Sequence, residues 1–401
     1  MRIPFIAAAL ALCLPFQPAF AQETEAQMDA RIAALDPAAL VFVLDADGAE
    51  LLARNADDPF VPASVAKIVT AWLALEVLGE DHRFETEFYL DADRVLHVRG
   101  GGDPFLVSEE LAELAPRLLA EIGPAPVEGI VLDARYYPDS LIIPGIEASD
   151  EAYDALNAAL SVNFNTINAV REGATVRSAE EQTPITPLAI EQFLERGPNG
   201  RGRISLPQDD PGVGIRYAGE LIAAFLTRAG GAVEGDVTIG TVPVGLEPVY
   251  VHRQSRDLAE IVRLMLLGSN NFIANQLFLE VGAHRLGGPA SLDKSLSVAR
   301  ELLAEHGLAE EVVLVEGSGI SRDNRFTARG LAGVLDLFAP HAALLRRSES
   351  GARYKTGTLS DVRTLAGYAE TSRNGPVRFV ISTRRPGQMR FDLLSAIERG
   401  L

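Results

Sequence analysis

Apolar and polar positions divide the chain into segments with different expected structures. Residues 40–54 carry two short apolar runs around a polar turn at 45–48, which predicts a β-hairpin. An apolar run from Ser64 to Leu78 predicts a helix after a proline-containing loop. Helical patterns return at 258–279 and 292–303. Strand-like runs follow at 354–359, 364–370 and 377–383, before a final helix from about Phe391.

The stretch 86–248 has a different pattern of apolar and polar residues. It contains short strand-like runs at 94–98 and 129–132, glycine- and proline-rich breaks, and an irregular acidic stretch at 139–154. Strands at both ends of the chain surround helices in the second half. We therefore predict an α+β fold with an antiparallel sheet, helices to one side, and a large inserted lobe. The predicted parts are 22–85 and 249–401 for the interrupted domain and 86–248 for the lobe.

The first 21 residues predict a signal peptide. They contain Arg2, an apolar run from Ile3 to Phe16, and the small-x-small sequence Ala19-Phe20-Ala21. The run is too short to span a bilayer as a helix, and no other segment is long and apolar enough to serve as an anchor. We therefore expect cleavage after Ala21, a periplasmic location, and no integral membrane segment after cleavage.

Composition narrows the possible chemistry. Cys13 is the only cysteine and lies within the predicted signal peptide. We therefore expect no disulfide, thiol nucleophile or cysteine metal site in the mature protein. Without residues 1–21 the net charge is about −20, which makes nucleic acid and anionic lipid poor partners. We predict no metal and no cofactor.

Lysine is rare in this chain. Of the 36 basic residues, only Lys67, Lys294 and Lys355 are lysines. Arginine does not lose its proton in proteins, whereas a desolvated lysine does. Retained lysines in an arginine-rich chain therefore indicate positions that need a deprotonatable or compact cation. Lys294 lies in a polar helical stretch and is interpreted as a solvated side chain, whereas the other two belong to motifs.

Three short motifs follow one another along the chain: Ser64-Val65-Ala66-Lys67, Ser269-Asn270-Asn271 and Lys355-Thr356-Gly357-Thr358. In the first, Ser64 and Lys67 lie one helical turn apart on one face. A serine hydroxyl needs a base to become nucleophilic, and the six histidines form no HExxH pattern. Lys67 is the available base, provided that burial and positive neighbours such as Lys355 lower its pKa. Each motif is weak alone, but the ordered set is specific.

This ordered set is typical of penicillin-binding proteins and class A β-lactamases. The chain resembles the D-alanyl-D-alanine carboxypeptidase/endopeptidase family of low-molecular-mass (class C) penicillin-binding proteins, in which a large lobe interrupts the transpeptidase-like domain. The 205 residues between Ser64 and Ser269 agree with such an insertion. Three further stretches are also similar to this family: Gly100–Pro104, Leu160–Asn163 and Glu316–Arg322.

The resemblance implies a penicillin-binding/β-lactamase-like fold and a serine D,D-peptidase. Its substrates would be peptidoglycan peptides ending in D-Ala-D-Ala or carrying D-Ala cross-links, and β-lactam antibiotics would inhibit it. The implied catalytic residues are the nucleophile Ser64, the base Lys67, the proton relay Ser269, and Asn271 and Lys355, which order the site.

The resemblance also implies how the substrate is held. Backbone N–H groups of Ser64 and Thr358 would form the oxyanion hole. The implied substrate-binding residues are Thr356, Gly357, Thr358, Ser318 and Arg322, together with Asp150 as the anion that reads a side-chain amino group. For Asp150 an alternative stays open, because the acidic stretch is equally consistent with a solvated loop.

Two other functions stay open at this point. A class A β-lactamase needs a glutamate after SxN, and the nearest similar stretch, Glu151–Asn157, precedes SxN. A catalytically silent scaffold of the same fold would not need the intact motifs. The Gly101–Pro104 sequence lacks a following helix with a nucleotide-binding fingerprint, and we interpret it as a tight turn in the lobe.

Overall fold

The computed structural model describes residues 25–138 and 141–401, and the predicted signal peptide with its cleavage position lies outside the described residues. Within these ranges the helices are α1 (Glu25–Leu35), α2 (Ala66–Leu78), α3 (Ser108–Ile122), α4 (Pro187–Arg196), α5 (Pro211–Arg228), α6 (Leu258–Gly268), α7 (Asn271–Leu286), α8 (Leu292–Glu305), α9 (Ala328–Phe338) and α10 (Met389–Gly400).

The strands of the described residues are β1 (Leu40–Asp45), β2 (Glu50–Arg54), β3 (Glu85–Leu90), β4 (Val95–Gly100), β5 (Gly129–Asp133), β6 (Thr166–Glu172), β7 (Thr175–Ser178), β8 (Gly200–Ser205), β9 (Val237–Ile239), β10 (Tyr250–Arg253), β11 (Val312–Val313), β12 (Arg325–Phe326), β13 (Arg346–Arg347), β14 (Arg353–Leu359), β15 (Val362–Thr371) and β16 (Gly375–Thr383).

A six-stranded antiparallel sheet joins the two ends of the chain in the order β13-β14-β15-β16-β1-β2. It contains the predicted hairpin at 40–54 and the predicted strands at 354–383. Alternate side chains of a strand point to opposite faces. Phe379 accordingly packs under α1 and α10, whereas Val380 faces the larger core formed by the remaining helices of this domain.

Helix α2 lies at the centre of that larger core. It is apolar around its whole circumference, and every residue from Ala66 to Leu75 is buried. The predicted helix start at Ser64 is shifted, because a 3₁₀ turn over Ala63–Val65 precedes α2. The turn places Ser64 at the edge of a rigid helix that packs against α7.

The inserted lobe has two sheets and its own core. A five-stranded sheet has the order β10-β3-β4-β5-β9, and a three-stranded sheet the order β7-β6-β8. Helices α3, α4 and α5 cover them with buried residues such as Leu111, Phe193 and Leu221. The predicted borders at 86 and 248 remain predictions, and β10 continues the lobe's sheet to Arg253. The Gly101–Pro104 segment is irregular backbone that leads into a turn at Pro104 and Phe105, and Gly102 has φ +76°.

The helical pattern at 258–279 is interrupted. Helix α6 ends at Gly268, Ser269 adopts a left-handed conformation with φ +54°, and α7 begins at Asn271. The Asn270 side chain accepts a hydrogen bond from the Ile273 N–H and caps α7. The second motif therefore lies in the corner between two helices. Across residues 25–138 and 141–401, no helix has the length and apolar character needed to cross a membrane.

Candidate active site

The first two motifs meet around the amine of Lys67. Its Nζ lies 3.0 Å from Ser64 Oγ, 2.7 Å from Asn271 Oδ1 and 2.6 Å from the carbonyl oxygen of Ser318. Two of these three atoms only accept hydrogen bonds, whereas the serine hydroxyl both donates and accepts. A neutral amine fits this set, because its two N–H bonds satisfy the two acceptors and its lone pair is left for the Ser64 hydroxyl.

The second and third motifs meet in the same way. Lys355 Nζ donates to Ser269 Oγ over 2.8 Å and to the carbonyl oxygen of Thr356 over 2.8 Å. The left-handed backbone at Ser269 turns its hydroxyl out of the corner between α6 and α7 toward strand β14. The structure thus joins Ser64, Lys67 and Asn271 in one cluster and Ser269 and Lys355 in a second.

Burial changes the acidity of both lysines. Lys67 is fully buried, and desolvation lowers its pKa from 10.5 to about 7, although the negative charge of Glu316 acts in the opposite direction. Burial also lowers the pKa of Lys355 to about 6, followed in size by the effects of the nearby charges of Lys67, Arg346 and Arg390. Two ammonium ions so close together repel each other, so at least one of the two lysines is a neutral amine near pH 7.

Strand β14 passes directly against Ser64. Gly357 leaves space that a side chain would fill, since a Cβ at this position would lie 2.9 Å from the Ser64 nitrogen and 2.1 Å from Thr364 Oγ1. Thr364 in turn donates to the carbonyl oxygen of Pro62 over 2.7 Å. These contacts hold the backbone before Ser64 beside the strand that carries Thr358.

A loop over residues 316–324, here named the Glu316 loop, closes the other side of Lys67. Glu316 is fully buried. Gly317 N–H donates to Asn275 Oδ1 over 2.8 Å, and Thr70 Oγ1 donates to the Gly317 carbonyl oxygen over 2.5 Å. Gly319 has φ +80°, and a Cβ there would lie 2.0 Å from the Ala63 carbonyl oxygen. The loop is therefore wedged against α2, α7 and the turn that carries Ser64.

The side chains of two predicted substrate-binding residues, Ser318 and Asp150, are bound to other residues of the protein. The Ser318 side chain is buried inside the Glu316 loop and donates to Glu316, so Ser318 reaches the site through its carbonyl oxygen. The Asp150 carboxylate forms an ion pair with Arg196 of the lobe. The acidic stretch does reach the site, because the Tyr153 carbonyl oxygen accepts a 3.1 Å hydrogen bond from Asn271 Nδ2.

Arg322 lies where the Glu316 loop meets the turn after β14. Its Nη2 donates to Ser360 Oγ over 2.5 Å and to Asp361 Oδ1 over 2.8 Å, and its side chain is about half exposed. The Asp361 carboxylate is itself exposed, and its pKa is lowered by the hydrogen bond from Arg322. The cation is therefore accessible at the end of the third motif.

Sequence reasoning did not identify three residues of this site. They are Glu316, the Tyr153 backbone, and Arg390 of α10, whose Nη1 donates to the carbonyl oxygen of Gly357 over 2.7 Å and to Thr358 Oγ1 over 3.1 Å. Glu316 belongs to the Glu316–Arg322 stretch, and its position directly before Gly-Ser-Gly was the signal that could have identified it. Among the described residues, no cluster of three or more His, Cys, Asp or Glu side chains could hold a metal ion.

The six-stranded sheet, the helices around it and the inserted lobe make this a penicillin-binding/β-lactamase-like transpeptidase fold. Residues 25–190 and 213–350 match the D-Ala-D-Ala carboxypeptidase 3 (S13) family, and the chain belongs to this family. The resemblance read from the three motifs is thereby confirmed.

Individual relatives agree with this assignment. The chain is 30% identical over 403 residues to a D-alanyl-D-alanine carboxypeptidase of an Actinomadura species, with 82% of this chain and 74% of that protein covered. It is 26% identical over 404 residues to carboxypeptidase DacB of Mycolicibacterium smegmatis, covering 89% and 79%. The crystal structure of penicillin binding protein 4 (dacB) from Haemophilus influenzae superposes with a TM-score of 0.74 at 19% identity, covering 92% and 97%, and supports the fold.

Proposed function

We propose that the chain is a serine D,D-peptidase of the periplasm that cleaves the D-Ala-D-Ala bond, or a D-Ala cross-link, in peptidoglycan peptides, and that β-lactams acylate the same serine. The observation that carries this proposal is the environment of Lys67 Nζ. Two carbonyl-type acceptors engage its N–H bonds, and the third neighbour is the hydroxyl of Ser64. This arrangement suits a base that removes a proton from Ser64.

In the acylation step, the Ser64 hydroxyl proton moves to Lys67 Nζ as Oγ attacks the carbonyl carbon of the penultimate D-alanine. The developing oxyanion is held by the N–H groups of Ser64 and Thr358. Each such donor is worth a few kcal/mol in related oxyanion holes. The packing of β14 against residues 62–64 supports this placement.

The C–N bond then breaks, and the proton that Lys67 took from Ser64 passes through Ser269 Oγ, which Lys355 contacts, to the leaving amine. The product is an ester between Ser64 and the shortened peptide. Water attacks this ester while Lys67 takes one of its protons. The bond between the acyl carbon and Ser64 Oγ then breaks, and that proton passes from Lys67 to Ser64 Oγ, so Lys67 is again neutral. Thr356, Gly357 and Thr358 line the strand that would bind the substrate's terminal carboxylate, beside the cation of Arg390.

The side chain of the substrate's diamino acid would bind between the acidic stretch and the Glu316 loop. Gly145 packs so closely on Ser321 that a Cβ at Gly145 would lie 2.5 Å from the Ser321 Cα. The two segments are thus neighbours. Arg322 supplies an accessible cation for the substrate's carboxylate. Asp150 remains the proposed anion for the substrate's amine, which would have to compete with Arg196 for the Asp150 carboxylate.

Fluorescent penicillin labelling followed by peptide mass mapping tests the assignment directly. We expect one adduct on the peptide that contains Ser64 and none in Ser64→Ala, whereas the exposed-serine control Ser350→Ala labels normally. Release of D-alanine from a peptide ending in D-Ala-D-Ala should be lost in the same variant. A stable adduct in Ser64→Ala would reject the proposal. Labelling of the wild type without any peptide cleavage would favour the catalytically silent scaffold instead.

A further inference from the structure

Glu316 has a hydrogen-bond environment that consists entirely of donors. Its Oε2 accepts from the N–H and from the Oγ of Ser318, both over 2.7 Å. Its Oε1 accepts from the Gly319 N–H over 2.7 Å, from the Ser321 N–H over 3.3 Å and from Asn324 Nδ2 over 2.7 Å. A buried carboxylate is costly unless it is fully hydrogen-bonded, and these five donors meet that requirement.

The five donors belong to one short loop, so the carboxylate fixes the loop's shape from inside. Glu316 accepts hydrogen bonds from the N–H groups of Ser318 and Gly319, which fixes the peptide units on either side of Ser318. The carbonyl oxygen of the same residue accepts the 2.6 Å hydrogen bond from Lys67 Nζ. The position of that carbonyl oxygen is therefore set by Glu316.

That carbonyl oxygen decides where the lone pair of Lys67 points. A neutral amine has two N–H bonds, and they are directed to Asn271 Oδ1 and to the Ser318 carbonyl oxygen. Only when both acceptors are in place does the lone pair face Ser64 Oγ. The negative charge of Glu316 also acts on Lys67, since it raises the pKa of that amine against the effect of burial.

We infer that Glu316 is a positioning residue for the general base, because it holds the Ser318 carbonyl oxygen that orients Lys67 toward Ser64. This inference rests on the proposed function, because it assigns a support to the proposed base. Glu316 does not contact the reacting atoms, and it acts through the loop and through its charge.

Glu316→Gln and Glu316→Asp separate the two effects. A glutamine offers a single acceptor oxygen, and its NH₂ group would face either the two or the three donors that now bind the carboxylate. We expect the rate constant for acylation by a fluorescent penicillin to fall at least about tenfold. We also expect the acid-side inflection of its pH profile to move down by about one pH unit, because the negative charge is lost.

Glu316→Asp keeps the charge and the acceptor oxygens, so its inflection should stay within a few tenths of a unit of the wild type even if its rate falls. Glu305→Gln, an exposed glutamate on α8, is the matched control and should change neither quantity. Circular dichroism and thermal unfolding identify variants that do not fold, and in that case Glu316→Asp alone is compared over pH.

The outcomes separate this inference from the proposed function. If the wild type is not acylated on Ser64, the proposed function fails. If the wild type is acylated and a folded Glu316→Gln keeps both its rate and its inflection, the positioning role is overturned. An inflection that moves equally in Glu316→Gln and Glu316→Asp would also overturn it, since the charge would then not be the cause.

Discussion

Lys67 Nζ lies 2.7 Å from Oδ1 of Asn271, although 204 residues separate the two along the chain. The whole inserted lobe lies between them in sequence. The contact depends on α2 and α7, which pack side by side in the larger core and both begin at the site. The insertion can therefore be large without moving the catalytic groups, because the two helices on either side of it are held by the same core.

Replacing the base while keeping its charge should abolish acylation. Lys67→Arg retains a positive charge, but a guanidinium does not release its proton to act as a base. We expect the acylation rate with a fluorescent penicillin to fall at least about a thousandfold. The matched control is Lys294→Arg, at a half-buried lysine whose Nζ donates to the backbone carbonyl oxygens of Gly287 and Pro289, just after α7. Acylation of Lys67→Arg at near the wild-type rate would contradict the proposed base.

Acylation should depend on pH in a defined direction. Burial lowers the pKa of Lys67 to about 7, and the neutral amine is the active form. As the pH falls below 7 the amine becomes protonated and loses its lone pair, so the rate should fall about tenfold per pH unit. Stopped-flow labelling between pH 5 and pH 8 measures this limb. A rate that is flat over this range, or that rises toward low pH, would not agree with Lys67 as the base.

The penicilloyl adduct should be long-lived. A class A β-lactamase needs a glutamate after SxN to activate the deacylating water, and the nearest similar stretch in this sequence, Glu151–Asn157, lies before SxN. We expect an adduct lifetime that exceeds one turnover on a D-Ala-D-Ala peptide by at least about a hundredfold. Loss of the label is followed after free penicillin is removed. Rapid hydrolysis of penicillin over many turnovers would favour the β-lactamase alternative.

A methyl group at Gly319 should disable the site. Gly319→Ala would place a Cβ 2.0 Å from the Ala63 carbonyl oxygen, next to Ser64, at a φ of +80°. Gly245→Ala is the matched control, because it has φ +84° and no atom within 4 Å of the added Cβ. The backbone strain alone costs about 1–2 kcal/mol in either variant. Only Gly319→Ala should also lose acylation, by at least about tenfold; equal rates in the two variants would show that the close approach does not matter.

Asp150 is tested with two peptides that end in D-Ala-D-Ala, one with a free side-chain amine and one with that amine acetylated. If Asp150 binds the amine, Asp150→Asn should raise the KM for the free amine by about tenfold and leave the acetylated peptide unchanged. Arg196→Gln releases the Asp150 carboxylate from its ion pair and should act in the opposite direction. Equal effects on both peptides would exclude Asp150 as the recognition anion.

The sequence predicts much of the fold because its strongest signals are local. The hairpin at 40–54, the strands at 354–383 and the SxxK spacing all depend on neighbouring residues. The break at Ser269 was harder to predict, because apolar residues continue through both α6 and α7 and only the capping Asn270 marks the boundary. The Ser269-Asn270-Asn271 motif identifies Ser269, but it does not predict the left-handed backbone conformation of this residue.

Contacts between segments that are distant along the chain could not be predicted from the sequence. The pairing of Asp150 with Arg196 joins residues 46 positions apart, in a lobe whose sheets the pattern did not resolve. The burial of Ser318 depends on Glu316 as an internal hydrogen-bond acceptor, and no periodicity reports such a turn. The role of Arg390 requires knowing that α10 returns to β14.

The strand order of the six-stranded sheet has a consequence for how the protein folds. Strand β1 is hydrogen-bonded to β16, so the sheet joins the first and last parts of the chain. Contacts between such distant segments form slowly, because closing a long loop costs entropy before the contacts form. The lobe's own strands are complete by Arg253, so we expect the lobe to fold earlier than this sheet. Lys355 and the two strands that follow it lie in the last 50 or so residues, so the cluster around Ser64, Lys67, Ser269 and Lys355 would be incomplete until this part of the chain was in place.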